Sequence, residues 1–292
     1  MCGLCPATLR GVMTWKNNEP KAPWLTNCYT PRTCRQLTCR LFDLPGVSPC
    51  VIALDYMHCK YLGSLQLIYG SVLYLLCHVL MPDEAEENLR KIAAFIKDFQ
   101  KSEQTTVRYS QLFKFSQFQR GKEYPKMRGK AGELRHVGNA ILALWRAYMV
   151  ERREIHREIL HLLEFDLEID VILDRFHPQD GYYAVPAKHA KKIKELALQS
   201  VSLHTHLEEH FTAEGLKIFN ITSKSHMMAH ALVLSKDIHP YLVWCFTGED
   251  FMRSMSKLLL SSVRGVQPAA GLAKGSAKMR AAMHFNFEQH RY

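Results

Sequence analysis

A mainly helical fold with a small β component is predicted from three observations. Apolar residues recur at helical spacing in several long stretches, the β-branched runs are short and few, and Gly and Pro separate the periodic segments. The chain has 292 residues, enough to bury a substantial core. Its hydrophobic share of 47% and charged share of 23% are those of an ordinary folded protein and exclude global disorder.

From Met1 to Cys50 the chain is rich in Cys, Pro, Thr and Arg and has little periodicity, so loops and short strands are expected. Val51 to Leu54 is a short apolar run ending at Asp55, which suits a buried strand. Gly63 and Gly70 punctuate the passage into an apolar helix through Leu76. Leu65 to Met81 carries Gln66, Gly70 and His78, falls short of a membrane span, and reads as a buried strand and helix. Pro82-Asp83 starts a helix, with Asp83 as cap, Glu86 three residues on, and a face of Leu89, Ile92, Ala93, Ile96 and Phe99.

Gln100 to Gly132 is basic and aromatic. Leu134, Val137, Ile141, Leu144, Trp145 and Tyr148 form the next helical stripe, continued by charged helix through Glu164. Phe176 to Pro186 is a connector, and Ile193, Leu196, Ala197, Val201 and Leu207 mark another amphipathic helix. Lys217 to Ile221 is a candidate strand; His226 to Leu234 and Glu249 to Val263 read as helices, with Gly265 at the C′ position. The tail reads as loose until a basic helix from Ala277. These breaks divide the chain at 1–50, 51–81, 82–216 and 217–292.

The net charge is +10 and the pI about 9.1, so the natural partner is a polyanion, of which nucleic acid is the commonest. Arg120, Lys122, Lys126, Arg128, Lys130 and Arg135 cluster beside Tyr109, Phe115 and Phe118. Such residues either contact phosphates and stack on bases, or form a solvated face over core aromatics. Nine cysteines, an odd number with no apolar leader segment, point to a reducing compartment, nuclear or cytoplasmic rather than secreted. Cys2-x-x-Cys5 is either half of a structural zinc site, completed by two of Cys28, Cys34 and Cys39, or a pair of free thiols. His226 and His230 stand at i and i+4 on one helical face; they could bind metal, pack, or contact phosphate. His204, His206 and His210 are expected on a polar face. Nucleophile-elbow, Walker and dinucleotide motifs are missing from the sequence.

Asp55-Tyr56-Met57-His58, followed by Tyr61-Leu62-Gly63, resembles the block around the second catalytic aspartate of DDE transposases of the Kyakuja-Dileera-Zisupton and CACTA type. Lys224 to His230 is similar to the Lys-x-His-x-x-x-His block that precedes the catalytic glutamate in those families. Glu249, in Gly248-Glu249-Asp250-Phe251-Met252, falls where that glutamate is expected. Cys2-Gly3-Leu4-Cys5, with Trp15 and Trp24 downstream, is similar to a Cys-x-x-Cys segment upstream of the core in related elements.

The resemblance implies an RNase H-like α/β core, as a remnant, interrupted by a helical insertion at 82–216, with core parts at 51–81 and 217–292. It implies Mg²⁺ or Mn²⁺ on Asp55 and Glu249, and DNA as partner. His58, Lys224, His226 and His230 would support the carboxylates or touch DNA. No membrane is implied, and oligomeric assembly is left open. A third carboxylate is required for two-metal phosphodiester chemistry, yet no aspartate precedes Asp43. The expectation is therefore a truncated or degenerate transposase core, inactive as it stands. The alternative is a non-catalytic helical protein that binds nucleic acid through residues 108–157.

Overall fold

A computed structural model describes residues 5, 7–8, 14–17, 19, 21–26, 53–110, 114–119, 121, 123–246, 252, 256–257, 260 and 268–289. The chain divides into two units, Met1–Trp244 and Cys245–Tyr292.

Among the described residues of the first unit a turn of helix at Pro23–Thr26 precedes six longer helices: α1 Tyr56–Leu80, α2 Ala85–Ser102, α3 Ala131–Tyr148, α4 Glu154–Arg175, α5 Ala187–Ala213 and α6 Ser223–Val233. The helical prediction holds. The β component does not: the described residues contain no strand, only an isolated bridge between Thr8 and Thr14. Ala53 and Leu54 are not in a strand, and Val51 and Ile52 lie outside the described residues. The segment 217–221 buries Ile218, Phe219 and Ile221 without pairing, with Phe219 at a positive φ of 53°. A β-branched run thus marks burial here, not a ladder.

The expected strand-then-helix over Leu65 to Met81 is one helix, α1, with π turns at Lys60–Ser64 and Leu76–Leu80 and a kink at Leu62 and Gly63. At 25 residues α1 is long and apolar enough to cross a membrane, contrary to the expectation. Most of that surface is instead buried against the other helices of this unit. Asn88 of α2 closes the end of α1: its amide donates to the carbonyls of Cys77 (3.0 Å), Met81 (3.3 Å) and Asp83 (2.7 Å). Asp83 does not cap α2; it pairs with Lys91 at 2.6 Å. The α3 stripe packs as its spacing predicts, with Leu134, Val137, Ile141, Leu144 and Trp145 buried. Glu133 accepts from the Lys130 N–H at 2.8 Å to start that helix, and Trp145 donates to the His156 carbonyl at 3.0 Å to tie it to α4.

A buried ion pair joins α1 to α4. The fully buried Lys60 ammonium donates to the Asp170 carboxylate at 2.8 Å and to the Asp166 carbonyl at 2.7 Å. Tyr56 and Tyr61 add hydroxyl donors to the same Asp170 oxygen at 3.2 and 3.0 Å. Burial, then the Asp170 charge, pushes both phenols well above their ordinary range, so they remain donors.

His204 is not on a polar face as expected; it is buried in α5 beside Phe219. His206 is exposed and pairs with Glu158, and His210 pairs with Glu214.

In the second unit the tail is less loose than expected. A helix, α7, spans Pro268–Gln289, starting before Ala277. The predicted helix Glu249 to Val263 lies mostly outside the described residues.

Lys60→Met leaves the Asp170 carboxylate buried without its cation. It should cost about 3–5 kcal/mol in urea unfolding followed by circular dichroism, and Lys60→Met with Asp170→Asn should restore part of the loss.

Burial lowers the His204 pKa from 6.5 to about 4. The unfolded chain therefore takes up a proton that the folded chain refuses. His204 contributes stability above pH 6.5 that is lost as pH falls toward 4. Burial raises Asp166 from 3.8 to about 6, which gives the opposite slope: stability present below 3.8 and lost as pH rises through 6. His204→Gln should flatten the acid limb of the stability–pH curve by about one proton, roughly 1.4 kcal/mol per pH unit, between pH 6.5 and 4.

Candidate metal centre

Two histidines four residues apart on a helix present their rings on the same side. In α6 those are His226 and His230, both buried, with Nε2 atoms 3.0 Å apart. Cys5 reaches the same point from the far end of the sequence, its Sγ 3.3 Å from His226 Nε2. The three donor atoms lie within 4.8 Å of one another.

Aromatic rings shield the cluster from water. Trp24 is fully buried and stands edge-on to both histidines, with ring centroids 4.4 Å from His226 and 4.9 Å from His230. Trp15 approaches His226 at 6.4 Å, and neighbouring Lys16 pairs with Glu208 of α5 at 2.7 Å. The N-terminal segment is thereby laid over α5 and α6, with Ala7 and Ala22 buried beside it.

The donor set is chemically specific. Two facing ring nitrogens can share one proton, but a third donor, a thiol, converges on the same space. A cation satisfies all three. Zinc bonds of about 2.0–2.1 Å to nitrogen and 2.3 Å to sulfur place tetrahedral donors about 3.3–3.6 Å apart. The 3.0 and 3.3 Å separations come close to that spacing. Nitrogen and sulfur donors suit zinc and disfavour magnesium or calcium. Three donors fit the ion; Cys2, the other half of the Cys-x-x-Cys pair, lies outside the described residues.

Where the sequence joined Cys5 to Cys28, Cys34 or Cys39, which lie outside the described residues, the structure gives Cys5 two histidine neighbours. Burial keeps His226 and His230 off any DNA-contacting surface. Trp15 and Trp24, which the resemblance grouped with the Cys-x-x-Cys segment, stand against the histidines; their contact with His226 and His230 was not foreseen. Cys59 and Cys77 are poor ligand candidates, because burial pushes their thiols up to about 11 and 12.

Asp55 does not end a strand. It is the N-cap of α1, accepting from the Met57 N–H at 3.0 Å and bonded to the half-exposed His58 ring. Glu249 lies outside the described residues, so the two carboxylates are not brought together by anything described. Lys224, by contrast, meets the Asp55 block: its ammonium donates to the Leu62 carbonyl at 3.0 Å.

The basic stretch 108–157 is not one surface. Arg135 is mostly internal, paired with Asp174 and stacked over Tyr241 and Trp244 at 5.2 and 5.5 Å. Its charge is therefore met by Asp174. Arg146 pairs with Glu164 at 2.6 Å. Arg120 and Lys122 lie outside the described residues, Lys130 is exposed at the start of α3, and Lys126 and Arg128 stand beside Lys224.

No protein-family model, curated protein or solved structure matches this chain.

The centre should take up one zinc per chain. Co²⁺ in its place should give visible d–d bands and a thiolate charge-transfer band near the ultraviolet. Cys5→Ala and His226→Ala should each remove the tight uptake and lower the melting temperature, whereas Cys77→Ala should leave metal content unchanged.

Proposed function

We propose that this protein is a DNA-binding descendant of a DDE transposase, without strand-cleaving activity, whose N-terminal segment is held on the helical body by zinc. The observation that supports this reading best is the meeting of its two resemblance blocks. Leu62 and Lys224 stand 162 positions apart, yet Lys224 bonds to the Leu62 carbonyl. Ser64 and Met228 touch at 3.5 Å in the same contact. Unrelated short motifs would have no reason to pack together; blocks of one ancestral site would.

The described part of this site is helical, so the ancestral RNase H-like core would survive here as its helical face, with residues 82–216 as the helical insertion. Loss of catalysis follows from the ligands. Two metal ions acting on a phosphodiester need three converging carboxylates. Asp55, the one that resemblance places second in that set, is already held by the Met57 N–H and the His58 ring. The net charge of +10 favours continued attachment to the polyanion that the ancestor cut. Nucleus or cytoplasm, both reducing, suits zinc held by thiolates.

Gel-shift titration of the zinc-loaded chain on duplex DNA should show binding that weakens steeply between 50 and 200 mM salt. Mn²⁺ should produce no nicking of a supercoiled plasmid, with Asp55→Ala indistinguishable from wild type. Absence of duplex binding at 50 mM salt would overturn the DNA-binding reading, and nicking abolished by Asp55→Ala would overturn the loss of catalysis.

A further inference from the structure

Two glycines seven residues apart on α1 occupy the same side of the helix, two turns from each other. Both are sites of close approach. A Cβ at Gly70 would lie 2.6 Å from the Lys126 nitrogen and 2.7 Å from the Pro125 carbonyl carbon, which are backbone atoms that cannot swing away. A Cβ at Gly63 would lie 3.0 Å from Lys224 Cδ. The Met127 N–H completes the contact by donating to the Gln66 carbonyl at 2.8 Å. The segment 125–127 and the first turn of α6 are therefore both pressed onto α1, and they bring Lys126, Arg128 and Lys224 together.

These three cations line a cleft of about 460 Å³, along with Leu62, Gly63 and Thr222. None of the three forms an ion pair with a carboxylate among the described residues. Glu123 also lines the cleft, but it is exposed and pairs with none of them. Two donors in the wall are shielded from solvent and lack partners: Arg128 Nε and the Thr222 hydroxyl. The ammonium of Lys126 is pushed below its ordinary range by burial and then by the charges of Lys224 and Arg128. Lys224 uses one of its three N–H donors on Leu62, leaving two. The amino end of α6, an 11-residue helix, adds its positive dipole end from the same wall.

Three like charges along one cleft, none paired with a carboxylate among the described residues, favour an anion there. We infer that this cleft binds a phosphate group, which on the DNA-binding reading proposed above is a backbone phosphate of the duplex. Lys126, Arg128 and Lys224 supply the charge, and the two remaining N–H groups of the Lys224 ammonium supply donors. Gly63 and Gly70 make the cleft by letting two chain segments reach the helix. Contacts of this kind fix position on a duplex and read no sequence.

The test uses the zinc-loaded full chain with two probes, inorganic pyrophosphate and a 30-base-pair duplex, and the double variant Lys126→Gln with Lys224→Gln. Lys97→Gln with Lys101→Gln on α2 removes the same charge elsewhere and serves as the control. Far-ultraviolet circular dichroism checks that all variants fold. The groove variant should lose the pyrophosphate-induced rise in melting temperature. Its duplex binding should have a log–log salt slope shallower by about two, and an affinity lower by roughly tenfold per lost contact at 0.1 M salt, whatever the duplex sequence. The control should match wild type.

Wild-type duplex binding with an unchanged slope in the groove variant would overturn this inference and leave the DNA-binding reading standing. If wild type binds no duplex, the DNA reading fails; the phosphate cleft then stands if pyrophosphate protection is lost in the groove variant, and falls if it is not.

Discussion

The first unit is organised by the burial of α1, an apolar helix that carries one ammonium group. Twenty-five residues from Tyr56 to Leu80 offer water almost nothing, so other helices must cover them. Lys60 sits fully buried in that surface and could not stay there alone. Asp170 neutralises it, and two tyrosine hydroxyls that donate to the same carboxylate oxygen hold Asp170 in place, which fixes α4 against α1 in one register. A purely apolar contact would tolerate sliding; a buried charge bonded to the Asp170 carboxylate and the Asp166 carbonyl does not.

The same helix sets the two features with chemical potential. At Gly63 and Gly70 it leaves gaps that neighbouring backbone and side chain fill, and the cationic cleft lies along that face. Where α6 crosses α1, the Ser64–Met228 contact and the Lys224–Leu62 bond hold α6 with its two histidines turned toward the N-terminal segment. The metal centre and the cleft therefore occupy different parts of one short helix. His226 and His230 face inward under Trp24, and Lys224 stands at the exposed amino end. Zinc at the first would stabilise the helix that presents the second.

The structure redistributes the roles that the motifs implied. Asp55 is a helix cap and not the tip of a strand, so the aspartate best placed for metal by resemblance has local work already. Histidines expected to support carboxylates or touch DNA are buried around a cysteine. Of the basic middle region, Arg135 and Arg146 are neutralised by α4 carboxylates, while Lys126 and Arg128 join a lysine nearly a hundred residues away in the chain. Charge clustering in sequence was a poor guide to charge clustering in space, because helix faces separate neighbours and tertiary contacts unite strangers.

The sequence by itself determined the helices. Their apolar spacing is a local property: α5 buries all the residues that the period selects, and α2 and α3 most of theirs, with Ala93, Phe99 and Tyr148 only partly covered. It also held the Cys-x-x-Cys and His-x-x-x-His spacings, each a legible pair of donors. Only the tertiary structure decided that the run 217–221 would be buried coil, since a strand needs a partner that local sequence cannot name. It alone brought Cys5 to His226 across 221 positions and left Lys126, Arg128 and Lys224 facing one cleft. Such meetings depend on how helices pack around α1, through glycines and one buried ion pair whose meaning exists only once the partners are in place.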